Sequence, residues 1–150
     1  MYGTILVPLD GSERAEVILS HVIELAKKFS AKVILLESVE QKLIYTGDLE
    51  ISATAAKADA ELAKQTQNAE SYVKGVKEKL EKQNIQVTTR IMQGPPVEAI
   101  IAMAKQENAD LIAMASHGRS GLGRVFYGSV AAGILQRVDR PLLIIRSSDL

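Results

Sequence analysis

The sequence contains no cysteine, which excludes disulfides, thiolate metal sites and cysteine nucleophiles in one step. It has two histidines, His21 and His117, too few and too scattered for a metal cluster. Net charge is missing as well. The 18 basic and 18 acidic residues cancel, so nothing electrostatic points to nucleic acid or an anionic membrane as the principal partner. No apolar run approaches the roughly 18 residues that a membrane-spanning helix needs. The opening MYGTILVPLDGS has no basic segment ahead of its apolar residues and reaches Pro8 and Asp10 at once, unlike a secretory signal. No linker composition interrupts the 150 residues, of which 47% are hydrophobic. A single domain over residues 1–150, located in the cytoplasm, is therefore expected.

What the chain does have is a stretch around which the rest is organised, Asp110 to Val130, DLIAMASHGRSGLGRVFYGSV. Leu111 to Ala115 is a short apolar run, as expected of a strand buried on both faces. Gly118, Gly121 and Gly123 then open a loop that also carries Arg119 and Arg124. Beyond Gly128-Ser129, an apolar pattern at Val130, Ile134, Leu135 and Val138 reads as a helix that Ser129 would cap. Strand, glycine loop and helix N-terminus together make an anion site, because the first backbone N–H groups of a helix lack internal acceptors.

Upstream, Thr4 to Leu9 reads as a buried strand running into a Pro8-Leu9-Asp10-Gly11 turn. Ser12 caps one helix whose apolar face holds Ala15, Ile18, Leu19, Val22, Ala26 and Phe29. Lys32 to Val39 is a second strand, polar only near its end at Glu37 and Ser38. The segment from Glu40 to Ala56 loses periodicity and reads as a long connection, mobile or partly helical, that orders over a ligand. Lys57 to Gln83 is helical, with its Lys and Glu side taken as a solvated face. Gln86 to Met92 alternates and reads as a strand near a sheet edge. Gly94-Pro95-Pro96 starts a helix that runs to Asn108, and Pro141 to Ile145 is a last aliphatic strand.

Alternating strands and helices specify an α/β fold, an open five-stranded parallel sheet of order 3-2-1-4-5 with helices on both faces, Rossmann-like. In that order strands 1 and 4 adjoin, and a ligand crevice opens at their carboxyl ends, with Asp10 facing Gly118. The crevice offers Asp10, Ser12, Ser116, His117, Arg119 and Ser129. Backbone N–H groups near Gly118 and at Gly128, Ser129 and Val130 suit phosphate oxygens, with Arg119 adding charge.

Ser116-His117-Gly118, nine residues, then Gly128-Ser129 closely resembles the nucleotide-binding signature of the universal stress protein family. TILVPLDGSE (Thr4 to Glu13), GPPVEAI (Gly94 to Ile100) and RPLLIIR (Arg140 to Arg146) resemble it too, in the same order. The resemblance to the ATP-binding branch implies Pro8, Leu9, Asp10 and Val39 around adenine and ribose. It implies Met114 and Ala115 under the sugar, and Gly118, Gly128, Ser129 and Val130 along the phosphates, with His117 and Arg119 beside them. It also implies ATP with Mg²⁺, and a homodimer formed through the C-terminal strand. Ala115 departs from the pattern, which has glycine there.

Three functions follow: an ATP-binding regulatory protein read by a protein partner during stress, a slow ATPase, or a nucleotide-free dimer module. His117 has no evident carboxylate partner, and the P-loop lysine is absent, so fast phosphoryl transfer is not expected.

Overall fold

The computed structural model describes residues 1–40, 51–116 and 128–147, with backbone alone for 51–55. In chain order the elements are β1 (Thr4–Pro8), α1 (Glu13–Glu16), α2 (Leu19–Phe29), β2 (Lys32–Val39), α3 (Ile51–Glu81), β3 (Val87–Gln93), α4 (Pro96–Gln106), β4 (Leu111–Ala115), α5 (Ser129–Arg137) and β5 (Leu142–Ile145). The five strands form one sheet in the order β3-β2-β1-β4-β5, and every pairing is parallel. This is the expected Rossmann-like α/β architecture.

Strand parity explains why helices cover both faces. Side chains alternate along a strand, and here both sets are apolar. Ile5 and Val7, Val33 and Leu35, and Leu111 and Ala113 pack with Ile18 and Val22 beside β1, and with Val73, Val76 and Leu80 of α3. Their neighbours Leu6, Ile34, Leu36, Ile112 and Met114 pack on the opposite side, against Ile100 and Met103 of α4 and Ala131 and Ile134 of α5. Edge strand β3 is half-buried over most of its length, as its alternation suggests.

Three boundaries differ from the sequence reading. The first helix is broken: Val17 and Ile18 stay right-handed, but with ψ of −22° and −26°, nearer 3₁₀ than α geometry. Two adjacent β-branched residues crowd the backbone there, and the Ser20 hydroxyl donates to the Val17 carbonyl at 3.5 Å. Second, α3 begins at Ile51, so the end of the expected connection is helix. The remainder of that connection, residues 41–50, lies outside the described residues. Third, Ser129 is the first residue of α5 and not its cap. Gly128 holds the N-cap position, and no side chain caps the helix.

Long-range polar bonds fix the crossovers. Asp110 accepts from the backbone N–H groups of Gly3 and Thr4 at 2.9 and 2.8 Å, tying the starts of β1 and β4. Arg140 donates to the carbonyls of Ala104 and Ala109 at 2.8 and 3.0 Å, satisfying the end of α4 and the turn into β4.

Helices α4 and α5 meet closely at Gly133, where an added Cβ would fall 2.8 Å from Val97 Cγ2. Val97 is branched and cannot swing its methyl far away. Gly133→Ala should therefore lose stability, because overpacking by about 1–3 kcal/mol exceeds the roughly 1 kcal/mol gained in helix propensity. In a Val97→Ala background the same change should stabilise. Urea unfolding of the four proteins of this cycle reads the reversal of sign, and additive effects would contradict the account.

Candidate functional site

The pairing of β1 with β4 is short. It ends at Leu6↔Ile112, whereas β1 stays paired with β2 through Pro8↔Leu36 and β4 with β5 through Ala115↔Ile145. The connections after β1 and β4 leave to opposite faces, so none of the described residues fills the gap between their carboxyl ends. A cavity of about 710 Å³ opens there, within the range of small-molecule sites.

The rim at β1 is locally determined. Gly11 has φ of 84°, which lets the chain turn sharply after Asp10. The Asp10 carboxylate accepts from the Ser12 N–H at 3.0 Å and from its hydroxyl at 2.5 Å. The Ser12 oxygen in turn caps α1 by accepting from the Ala15 N–H at 3.2 Å. Pro8 is tolerated because it ends the strand, and the Leu9 N–H after it donates to the Leu36 carbonyl at 2.8 Å.

Across the crevice, the Ser116 N–H donates to the Ile145 carbonyl at 2.9 Å, and the Gly128 N–H donates to the Ser116 carbonyl at 2.5 Å. The chain thus leaves β4 and re-enters at α5 from one point. Gly128's own N–H is spent on that bond. The first bond within α5 runs from the Ala132 N–H to the Gly128 carbonyl at 2.9 Å. The N–H groups of Ser129, Val130 and Ala131 consequently have no acceptor inside the helix.

Of the residues selected from sequence, Pro8, Leu9, Asp10, Val39, Met114, Ala115, Gly128 and Val130 line this one cavity. Ser129 is exposed at the start of α5 and stands outside the lining. His117, Gly118 and Arg119 lie outside the described residues. Ala115 is buried at the end of β4 and lines the cavity.

Sequence reasoning missed a whole wall. Glu37, Ser38 and Glu40 at the end of β2, and Gln65, Asn68, Ala69 and Tyr72 on α3, also line the cavity, as do Pro96 and Ile100 of α4. Gln65, Asn68 and Tyr72 follow i, i+3, i+7 spacing, the signal of one helix face, but their polarity made that face look solvated. Glu37 is only 8% exposed, an unusual burial for a carboxylate.

Electrostatically the cavity is divided. Glu37 shares strand parity with Val33 and Leu35, so it lies on the α2 and α3 side of the sheet, near Asp10, Glu16 and Tyr72. The Tyr72 hydroxyl is buried next to the Glu16 carboxylate. Burial foremost, then Glu16, with Glu37 and Asp10 contributing, pushes its ionisation well above the ordinary tyrosine range, so it remains a neutral donor. The opposite wall carries the N-termini of α4 and α5, whose dipoles favour negative charge. No Lys or Arg occurs among the described lining residues. No group of three or more His, Asp or Glu among the described residues could hold a metal ion, and no described helix is long and apolar enough to cross a membrane.

Known proteins share this fold. The universal stress protein MJ0577 of Methanocaldococcus jannaschii is 30% identical over 97% of this chain and 96% of its own. Its solved structure superposes with a TM-score of 0.85 over 100% of this chain and 99% of that one. A universal stress protein solved in complex with cAMP is 22% identical, with a TM-score of 0.60 and 98% of each chain covered. One from Arabidopsis thaliana with AMP bound is 15% identical, with a TM-score of 0.64, covering 97% of this chain and 92% of that one. The family model described as Universal stress protein family matches residues 1–146. On that match, and on the full-length likeness to MJ0577, the chain belongs to the Universal stress protein family.

Proposed function

We propose that this protein binds ATP in the crevice between β1 and β4 and acts in the cytoplasm as a nucleotide-dependent regulatory module. Its occupancy is read by a protein partner during stress, and any hydrolysis is slow. One observation carries the reading: the 710 Å³ cavity sits where strand order reverses, and uncapped α5 begins at its wall. The cAMP and AMP in the two structural relatives support an adenine nucleotide. At 22% and 15% identity those relatives carry the fold alone, so the reading rests first on the crevice.

Adenine and ribose pack near Pro8, Leu9, Asp10 and Val39, with the sugar over Met114 and Ala115. The phosphates meet the N–H groups of Ser129, Val130 and Ala131, while Gly128 keeps that approach clear of a side chain. His117, Gly118 and Arg119 complete the phosphate end. Mg²⁺ accompanies the triphosphate. Such an ion takes most of its ligands from phosphate and water, which fits a described site without a cluster of carboxylates dedicated to it.

Gly128→Val should lower ATP affinity about a hundredfold or more, the worth of two hydrogen bonds to a charged group, while the sheet still folds. Ala115→Gly should change affinity by less than about tenfold, because one methyl group is at stake. Calorimetric titration with ATP and Mg²⁺, with circular dichroism as the folding control, reads both. If the wild type fails to bind at millimolar ATP and Ala115→Gly binds, the alanine has closed the site and the nucleotide-free module is the better reading.

The homodimer belongs to the same proposal. Strand β5 is the sheet edge, its four aliphatic residues are each half-buried, and an open apolar edge invites pairing. Sedimentation should give a dimer at micromolar concentration. A strict monomer there removes the claim.

A further inference from the structure

Strand β5 lies at the open edge of the sheet, and its four residues span only about 13 Å. Pairing along that length alone buries well short of the roughly 1,200 Å² that a stable interface needs. A dimer held there requires the flanks of the strand as well. On the face covered by α4 and α5, one flanking residue stands out. Apart from Met1, Leu135 is the one large hydrophobic residue among those described that is exposed, at 51%. A single exposed leucine means little by itself, so its direction decides. Gly133 lies against Val97 of α4, and Arg137 bonds to Glu98 of the same helix at 2.9 Å. Leu135 stands about 200° round α5 from Gly133, on the side turned away from α4. Helix α4 packs over β1 and β2, so that side faces the free edge of β5. Depth agrees with direction. Helix α5 starts beside Ser116, whose N–H meets the Ile145 carbonyl, and Leu135 lies about 9 Å down the axis from Ser129, alongside the strand. Leu142 and Ile144 pack on this same face and are half-buried, so the three continue one apolar surface to the edge.

We propose that this surface takes a second copy of the chain, with Leu135 as its apolar anchor. This rests on the homodimer reading above. Two copies joined through one strand edge are related by a two-fold axis normal to the sheet, so the strands run antiparallel and α5 lies on the same face in both. Residues directly opposed in such a pair share a face, so the fullest overlap puts Leu143 or Ile144 opposite itself. In either register Leu142 and Ile144 of both copies make a floor, and each Leu135 leans over it toward the axis. The patch is thereby self-complementary, as an isologous contact requires.

Sedimentation of the full chain reads the anchor. Because the two-fold presents each change twice, Leu135→Ala should raise the dimer dissociation constant at least about tenfold, and Leu135→Glu at least about a hundredfold. An exposed residue can be changed without unfolding the chain, which circular dichroism checks. Gln136→Glu, one residue on and also exposed, should leave the constant unchanged. The absence of cysteine supplies a second readout. In Leu135→Cys the only thiol sits near the proposed axis, and a short bismaleimide should link two copies, whereas Ala102→Cys on the exposed side of α4 should stay unlinked. Dimerisation that survives Leu135→Glu unweakened, or gives no link through Leu135→Cys, overturns the anchor and leaves strand pairing standing. Equal weakening by Gln136→Glu overturns it too. A strict wild-type monomer at micromolar concentration overturns both the anchor and the dimer.

Discussion

The site depends on one constraint, the reversal of strand order beside β1. A parallel strand connection crosses in the right-handed sense almost without exception, so building outward in both directions from β1 sends one crossover to each face. Among the described residues no helix covers the carboxyl ends of β1 and β4, and their pairing stops at Leu6↔Ile112. Everything functional follows from that gap. The Asp10 turn bounds it on one side, and Ser116 hydrogen-bonded to Gly128 bounds it on the other.

Two opposed fields meet in the gap because each sheet face contributes its own helices. On the α2 and α3 side the polar groups reaching the cavity are carboxylates, amides and a tyrosine kept neutral by burial. On the other side α4 and α5 present N-termini. An anionic group is favoured at the α5 side of the gap, where the helix N-terminus points. The division arises from strand parity alone, which sends Glu37 to one face and Leu36 and Met114 to the other.

Much of this was legible in the chain. Strand order followed from alternation and handedness, and eight of the residues chosen for the crevice line a single cavity. Ser12 announced its cap. What stayed hidden was set by tertiary context. Gln65, Asn68 and Tyr72 look like any solvated helix stripe until β2 is placed opposite, and α3 brings them there because Ala69, Val73, Val76 and Leu80, on the adjoining and partly shared face, are buried. The break at Val17 and Ile18 was missed because an apolar periodicity counts faces and not backbone bonds. Ser129 was misread as a cap because Gly128 is commonly just a turn residue, whereas here its N–H is held by the Ser116 carbonyl. Gly128 is the N-cap because its extended backbone places its carbonyl to accept the first helical bond, from the Ala132 N–H.

The central claim is that the first turn of α5 holds the anionic end of a nucleotide. Amide hydrogen exchange, resolved by residue and measured with and without ATP and Mg²⁺, tests it most directly. Helix N-terminal amides without acceptors exchange quickly, so Ser129, Val130 and Ala131 should slow markedly when the nucleotide is added. Slowing confined to other parts of the chain under saturating ATP, with those three amides unchanged, would contradict the account.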